Sequence, residues 1–133
     1  MTTPLPPMNI LLVEDNPINQ KVAARLLEKQ GHTVAIATNG KEALAALVSG
    51  TFDLVLMDVQ MPEMDGLEAT VAIRQQEAGT ERHVPIVALT AHAMVGDRER
   101  CLAAGMDGYV TKPVQPQVLF QAMAEAVGLQ KSA

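Results

Sequence analysis

Five residues of this chain have side chains that could do chemistry together, and each stands at or just past the end of an apolar run. Glu14 and Asp15 follow Asn9–Val13 (NILLV), Asp58 closes the run Leu54–Met57 (LVLM), Thr90 follows Ile86–Leu89 (IVAL), and Lys112 follows Asp107–Thr111 (DGYVT). A lone carboxylate in such a place is ordinarily a solvated loop residue or a helix cap. Three brought together are different, because each pair of carboxylates about 4–5 Å apart repels by roughly 3–4 kcal/mol at an effective dielectric near 20. Lys112 neutralises one charge and leaves two, which a divalent cation would remove. Oxygen ligands with room for several waters suit Mg2+ better than a soft metal. A cation, a carboxylate, a hydroxyl and an ammonium together make a set for phosphoryl transfer. Asp58 would be the nucleophile that forms an acyl phosphate, Mg2+ and Lys112 would neutralise the equatorial oxygens, and Thr90 would donate a hydrogen bond. His32, His83 and His92 are scattered and, with Cys101, show no zinc spacing. They read as surface or packing residues, although His92, two residues past Thr90, borders the site. Cys101, among Arg100, Leu102 and Ala103, reads as helix packing.

The elements that must position these residues can be read from the same pattern. Runs of consecutive apolar residues without polar alternation suit strands covered on both faces of a parallel sheet. Asp58 then sits where such a strand leaves the core, on the edge where open α/β sheets bind ligands. Pro62 and Gly66 stop the strand, and Asp65 with Glu68 has capping-box spacing, so a helix is expected over Leu67–Gln76, with Leu67, Val71 and Arg74 spaced along it. Upstream, Asn16 as N-cap and Pro17 at the first helical position open a helix that places Ile18, Val22, Leu26, Ala23 and Leu27 on one face and ends at Gly31. Thr33–Ala37 alternates as a strand nearer an edge. Asn39–Val48 is an Ala-rich helix closed by Gly50, and Ala78–His83 is a polar connection. A fourth helix runs from Gly96 to Ala104 with Gly105 as its stop, and a fifth from Pro116 to Val127 turns Leu119, Met123 and Val127 inward. Five βα units in succession pair in parallel through right-handed crossovers. The expected fold is a flavodoxin-like (βα)5 three-layer sandwich with strand order 2-1-3-4-5, which puts the three unbroken apolar runs in the centre.

Composition narrows the classes. A chain of 133 residues is one domain able to bury its own core. A net charge of −5, without a dense run of Lys or Arg, argues against direct nucleic-acid binding. A single cysteine fits a reducing compartment, and no apolar run approaches the length of a membrane span, so a cytoplasmic location without membrane insertion is expected. The start, MTTPLPPM, lacks the basic end and apolar middle of a signal peptide. Residues 1–7 read as a Pro-rich tail or linker, 8–128 as the domain, and 129–133 as a C-terminal tail. There is no GxxxxGK[ST], and EDNPIN rather than a Gly-rich turn follows the first apolar run, so nucleotide binding is not expected.

From about Met8 to Val127 the chain resembles the receiver domains of bacterial two-component response regulators, through LLVEDNPINQ, LVLMDVQMPEMDG, IVALTAHA and GYVTKPV in that order and spacing. The resemblance implies that Asp58 accepts a phosphoryl group from a phosphohistidine on a histidine kinase or histidine phosphotransfer domain. It implies that Glu14, Asp15, Asp58 and the backbone carbonyl of Gln60 hold Mg2+, directly or through water. Lys112 would contact the phosphoryl group, with Lys112-Pro113 as a cis peptide. Thr90 would move toward the phosphoryl oxygens while Tyr109 turns inward, a population shift driven by the added charge. The face from the fourth helix through the fifth strand to the fifth helix would report the state to a downstream partner. Gln60 and His92 flank the approach of a hydrolytic water and would tune phosphoryl lifetime.

The wording of VEDNPINQKVA, TAHAM and GDRERCLAAGMDGYVTKP is most similar to receivers of hybrid sensor histidine kinases, with TTPLPP as linker. The alternative is a stand-alone receiver. Two other classes differ in kind. An Mg2+-dependent phosphohydrolase with an Asp nucleophile would resemble DxDx[TV], but Gln60 stands two residues after Asp58, with no acid to protonate a leaving group. A receiver-like module that is never phosphorylated would not need the acid pair, Thr90 and Lys112.

Overall fold

The structure is a computed structural model, described for residues 7–59, 66–80, 83–90, 96–112 and 114–127. Strands β1 (Asn9–Val13), β2 (Thr33–Ala37), β3 (Leu54–Asp58), β4 (Ile86–Thr90) and β5 (Gly108–Thr111) alternate with helices α1 (Pro17–Lys29), α2 (Gly40–Ser49), α3 (Gly66–Glu77), α4 (Asp97–Ala104) and α5 (Pro116–Ala126). The strands form one sheet in the order β2-β1-β3-β4-β5, with every neighbouring pair parallel. This is the expected flavodoxin-like order.

The unbroken apolar runs serve two cores at once, because successive side chains of a strand point to opposite faces. Leu11, Val13, Val55, Met57, Ile86 and Ala88 pack on one face with Ala43, Ala69, Ile73 and Cys101 of α2, α3 and α4. Ile10, Leu12, Leu54, Leu56, Val87 and Leu89 pack on the other with Ala23 and Leu27 of α1 and Leu119 and Met123 of α5. Burying each large aliphatic side chain contributes about 1.5–3 kcal/mol before ordering entropy is subtracted. Every residue of β3 and β4 is buried, whereas the edge strand β2 leaves Thr33 and Ile36 exposed.

The helix starts follow local chemistry. Asn16 Oδ1 accepts from the N–H groups of Ile18 (2.9 Å) and Asn19 (3.2 Å), with Pro17 leading the helix. Asn39 caps α2 by accepting from Glu42 N–H, while Glu42 Oε1 accepts from Thr38 N–H. The structure begins α2 one residue after this cap, extends α3 by one residue at each end, and starts β5 at Gly108 rather than Asp107. Asp65, the other half of the expected cap of α3, lies outside the described residues, as do most of both expected tails.

One expectation about a helix face is corrected. Ile18 and Val22 were expected on the inner face of α1, yet they are 72% and 53% exposed, and Ala23 and Leu27 alone are fully buried there. At 3.6 residues per turn Ile18 and Leu27 lie about 180° apart around the helix, so one sheet cannot cover both. On α3 the buried positions are Gly66, Ala69, Thr70 and Ile73, while Val71 is exposed. Among the described residues, no helix is long and apolar enough to cross a membrane.

Candidate functional site

Register delivers the expected residues to one edge of the sheet. Val13 of β1 is paired with Met57 of β3, so the next residues, Glu14 and Asp58, emerge side by side. Asp58 is level with Leu89, and Thr90 with Thr111. One step beyond β5, Lys112 N–H donates to Thr90 O at 2.7 Å. On the other side, Glu14 N–H donates to Ala37 O at 3.0 Å, so the first acid is anchored to β2 before the chain turns into α1.

The end of β3 is fixed by α3. Gly66 N–H donates to Val59 O at 2.9 Å, and a Cβ at Gly66 would meet Asp58 O at 2.5 Å and Val59 Cα at 2.8 Å. Only a glycine lets the helix start this close to the strand end.

One oxygen from each of Glu14, Asp15 and Asp58 lies within 4.8 Å of the others. Glu14, Asp58 and Thr90 are buried and Asp15 is exposed, so the corner opens to solvent on one side. Lys112 Nζ bridges Glu14 Oε1 at 3.1 Å and Asp58 Oδ2 at 3.2 Å. Burial works against the Lys112 charge, but the hydrogen bond to Glu14, the fields of Asp58 and Glu14 and the bond to Asp58 outweigh it, and its pKa is raised above the ordinary lysine value. The other oxygen of Glu14 accepts from Asn16 N–H at 3.2 Å, and its backbone carbonyl accepts from Gln20 Nε2 at 2.7 Å. Glu14 is thus held at both carboxylate oxygens and at its backbone carbonyl.

The donor set fits Mg2+. Octahedral oxygens about 2.1 Å from the ion stand roughly 3–4 Å apart, close to the spacing of these carboxylates, and the open side leaves room for water.

The structure therefore gathers Glu14, Asp15, Asp58 and Lys112, and brings Thr90 to the same edge. Tyr109 of β5 is half-buried against the core on the side of α2, α3 and α4. Gln60, His92 and Pro113, and with them the Lys112-Pro113 peptide, lie outside the described residues. The other two histidines stand away from the corner. His32 precedes β2 at the opposite sheet edge, where its Nδ1 accepts from Met8 N–H at 3.0 Å, and His83 Nε2 is 2.8 Å from Asp107 Oδ1. Cys101 is buried and in no disulfide, as expected of packing.

Sequence reasoning missed a second polar cluster, centred on Arg74. Its Nε donates to Gly105 O (2.9 Å), Nη1 to Val84 O (2.9 Å) and Glu77 Oε1 (2.7 Å), and Nη2 to Asp107 Oδ2 (2.8 Å). No local pattern in the sequence marks this role, because its partners Gly105 and Asp107 are 31 and 33 residues away.

Comparison with known proteins agrees with this geometry. The response regulator receiver domain family matches residues 10–124. A hybrid signal transduction histidine kinase of Dictyostelium discoideum is 48% identical over 120 residues, covering 86% of this chain and 7% of that protein. The sensor histidine kinase GacS of Pseudomonas protegens is 49% identical over 123 residues, covering 90% of this chain and 13% of that protein. The chain thus spans a small fraction of the length of these relatives. Among solved structures, the receiver domain of a sensor histidine kinase from Pseudomonas aeruginosa superimposes with a TM-score of 0.82 at 43% identity, covering 92% of this chain and 99% of that one. That structure holds a magnesium ion coordinated in its active site cleft. A Saccharomyces cerevisiae response regulator receiver, co-crystallised with a histidine phosphotransfer signaling protein, gives a TM-score of 0.83 at 36% identity, covering 94% of this chain and 92% of that one. This chain belongs to the response regulator receiver domain family.

Proposed function

We propose that residues 8–128 are the phosphoacceptor unit of a phosphorelay, with Asp58 as the acceptor carboxylate. An Asp58 oxygen attacks the phosphorus of a phosphohistidine, the P–N bond breaks, and the imidazole leaves with the electron pair and is reprotonated. The observation that carries this reading is the bridging of Asp58 and Glu14 by Lys112 beside an exposed Asp15. Mg2+, held by Glu14, Asp15, Asp58 and the backbone carbonyl of Gln60, directly or through water, would neutralise charge on the transferred group. Lys112 supplies the second positive charge, and Thr90, on the adjacent strand, donates to a phosphoryl oxygen and couples the site to Tyr109. Gln60 and His92 tune the lifetime of the acyl phosphate.

The donor is a histidine kinase or a histidine phosphotransfer domain. To reach Asp58 it must cover the surface beside the corner, and the exposed Ile18 and Val22 of α1 supply apolar contact area there. The downstream partner binds the face of α4, β5 and α5, where Leu102 and Val118 are exposed. The likeness to hybrid kinases supports a receiver from such a protein, working in the cytoplasm, and Cys101, in no disulfide, fits that compartment.

The test is phosphoryl uptake. With Mg2+ and acetyl phosphate the protein should gain one phosphoryl group by intact mass, and Asp58→Asn should gain none. Equal uptake by the variant rejects Asp58 as the acceptor. Turnover of general phosphomonoesters would favour the phosphohydrolase instead.

A further inference from the structure

The edge strand β5 is four residues long, pairs with β4 on one side and fully buries only Val110, so few contacts of its own hold it in place. Register matters here because a strand advances about 3.3 Å per residue and alternates faces, so a slip of one residue would carry Lys112 away from both of its acids. The start of β5 is held by side chains. Asp107, immediately before it, donates its N–H to Ile86 O at 2.7 Å, and its Oδ2 accepts from Ile86 N–H at 2.9 Å. The same Oδ2 accepts from Arg74 Nη2, and Arg74 also holds Gly105 O on one side of the turn and Val84 O, two residues before β4, on the other. Glu77 completes the frame by accepting from both Arg74 Nη1 and Val84 N–H. The turn is shaped around the arginine: Gly105 has φ +109°, and a Cβ there would lie 2.9 Å from Arg74 Cγ. With side chains only 13–24% exposed, Arg74, Glu77 and Asp107 form a sheltered network, not a screened surface pair.

We propose that Arg74 is a positioning residue for the acid corner: by locking the start of β5 to β4, it sets where the Lys112 ammonium stands about 15 Å away at the other end of the strand. The phosphoryl part of this inference rests on the proposed function, whereas the part concerning Lys112 and the cation does not. Loosening the lock draws the ammonium away from Glu14 and Asp58. The corner becomes more negative, so Mg2+ should bind more tightly, while phosphoryl uptake, which needs Lys112, should slow. Simple loss of stability would not move these two quantities in opposite directions.

The experiment compares the wild type with Arg74→Met, which keeps the stem and loses the donors, below the unfolding temperature of both. Expected are a Mg2+ affinity raised about three- to tenfold, from the removal of a nearby positive charge, and acetyl phosphate uptake slowed by a comparable factor. Metal-free 15N spectra should show displaced Thr111 and Lys112 amides. Asp107→Asn, which keeps an acceptor for Ile86 N–H, should be intermediate. If Arg74→Met does not fold, Arg74→Lys provides the same comparison, retaining the charge without the fork. A folded variant with wild-type Mg2+ affinity and unmoved Thr111 and Lys112 amides overturns the proposal. Should the wild type take up no phosphoryl group, the proposed function fails, and the Mg2+ and amide measurements still decide the role of Arg74.

Discussion

Lys112 Nζ lies 3.2 Å from Asp58 Oδ2, although 54 residues separate the two in the chain. The contact crosses β4, which stands between the strands that carry them, so it depends on the staggered ends of three strands. Lys112→Ala should leave the buried carboxylates of Glu14 and Asp58 without this donor, and the expected loss of stability is about 1–3 kcal/mol in urea unfolding. Coupling should suffer far more: the spectral change that a phosphoryl mimic such as beryllofluoride causes in β5 should disappear. A large drop in the urea midpoint with a normal response to the mimic would contradict this assignment.

Gly66 is a structural requirement of the same corner. A methyl group there would sit 2.5 Å from Asp58 O and 2.8 Å from Val59 Cα, both backbone atoms that cannot swing aside. Gly66→Ala should force α3 back from the end of β3 and cost about 1–3 kcal/mol by overpacking. It should also weaken Mg2+ binding by shifting Asp58. Calorimetry with and without Mg2+ measures both, and an unchanged melting temperature would show that α3 retreats without resistance.

The sheet and its acid corner were legible because they rest on local signals. Unbroken apolar runs mark strands covered on both faces, and each run stops on or just before a polar residue of distinctive type. Ile18 and Val22 were misread for a physical reason: helical periodicity marks a stripe, but only the sheet decides how wide a stripe it covers. Arg74 was illegible for another. Its partners Gly105 and Asp107 are 31 and 33 residues away, and nothing local distinguishes an arginine that snorkels to water from one that organises a buried turn.

His32 gives the fold a pH dependence. Burial lowers its pKa below the ordinary histidine value, and its Nδ1 accepts from Met8 N–H, a bond only the unprotonated nitrogen can make. The unfolded chain therefore binds the proton more readily than the folded one. The His32 contribution should be fully present above about pH 6.5 and decline as pH falls below that value toward the lower folded-state pKa. His32→Asn, which offers an oxygen acceptor to Met8 N–H, should reduce this slope. Urea midpoints at several pH values between 7.5 and 5.5 compare the two proteins, and identical slopes would remove His32 from the account.

Ile18 and Val22 lie one turn apart on α1, and Asn16, which caps that helix, also donates to Glu14. Their exposure makes them poor contributors to folding, so Ile18→Glu should change stability by no more than about 0.5 kcal/mol. A protein donor that must bring a phosphohistidine to Asp58 would bury them. Losing the burial of one isoleucine, about 1.5 kcal/mol or more, should slow transfer from a histidine phosphotransfer protein about tenfold at subsaturating donor. Acetyl phosphate, too small to touch α1, should phosphorylate Ile18→Glu at the wild-type rate. Equal slowing with both donors would place the fault in the acid corner, and no slowing with either would move the docking surface off α1.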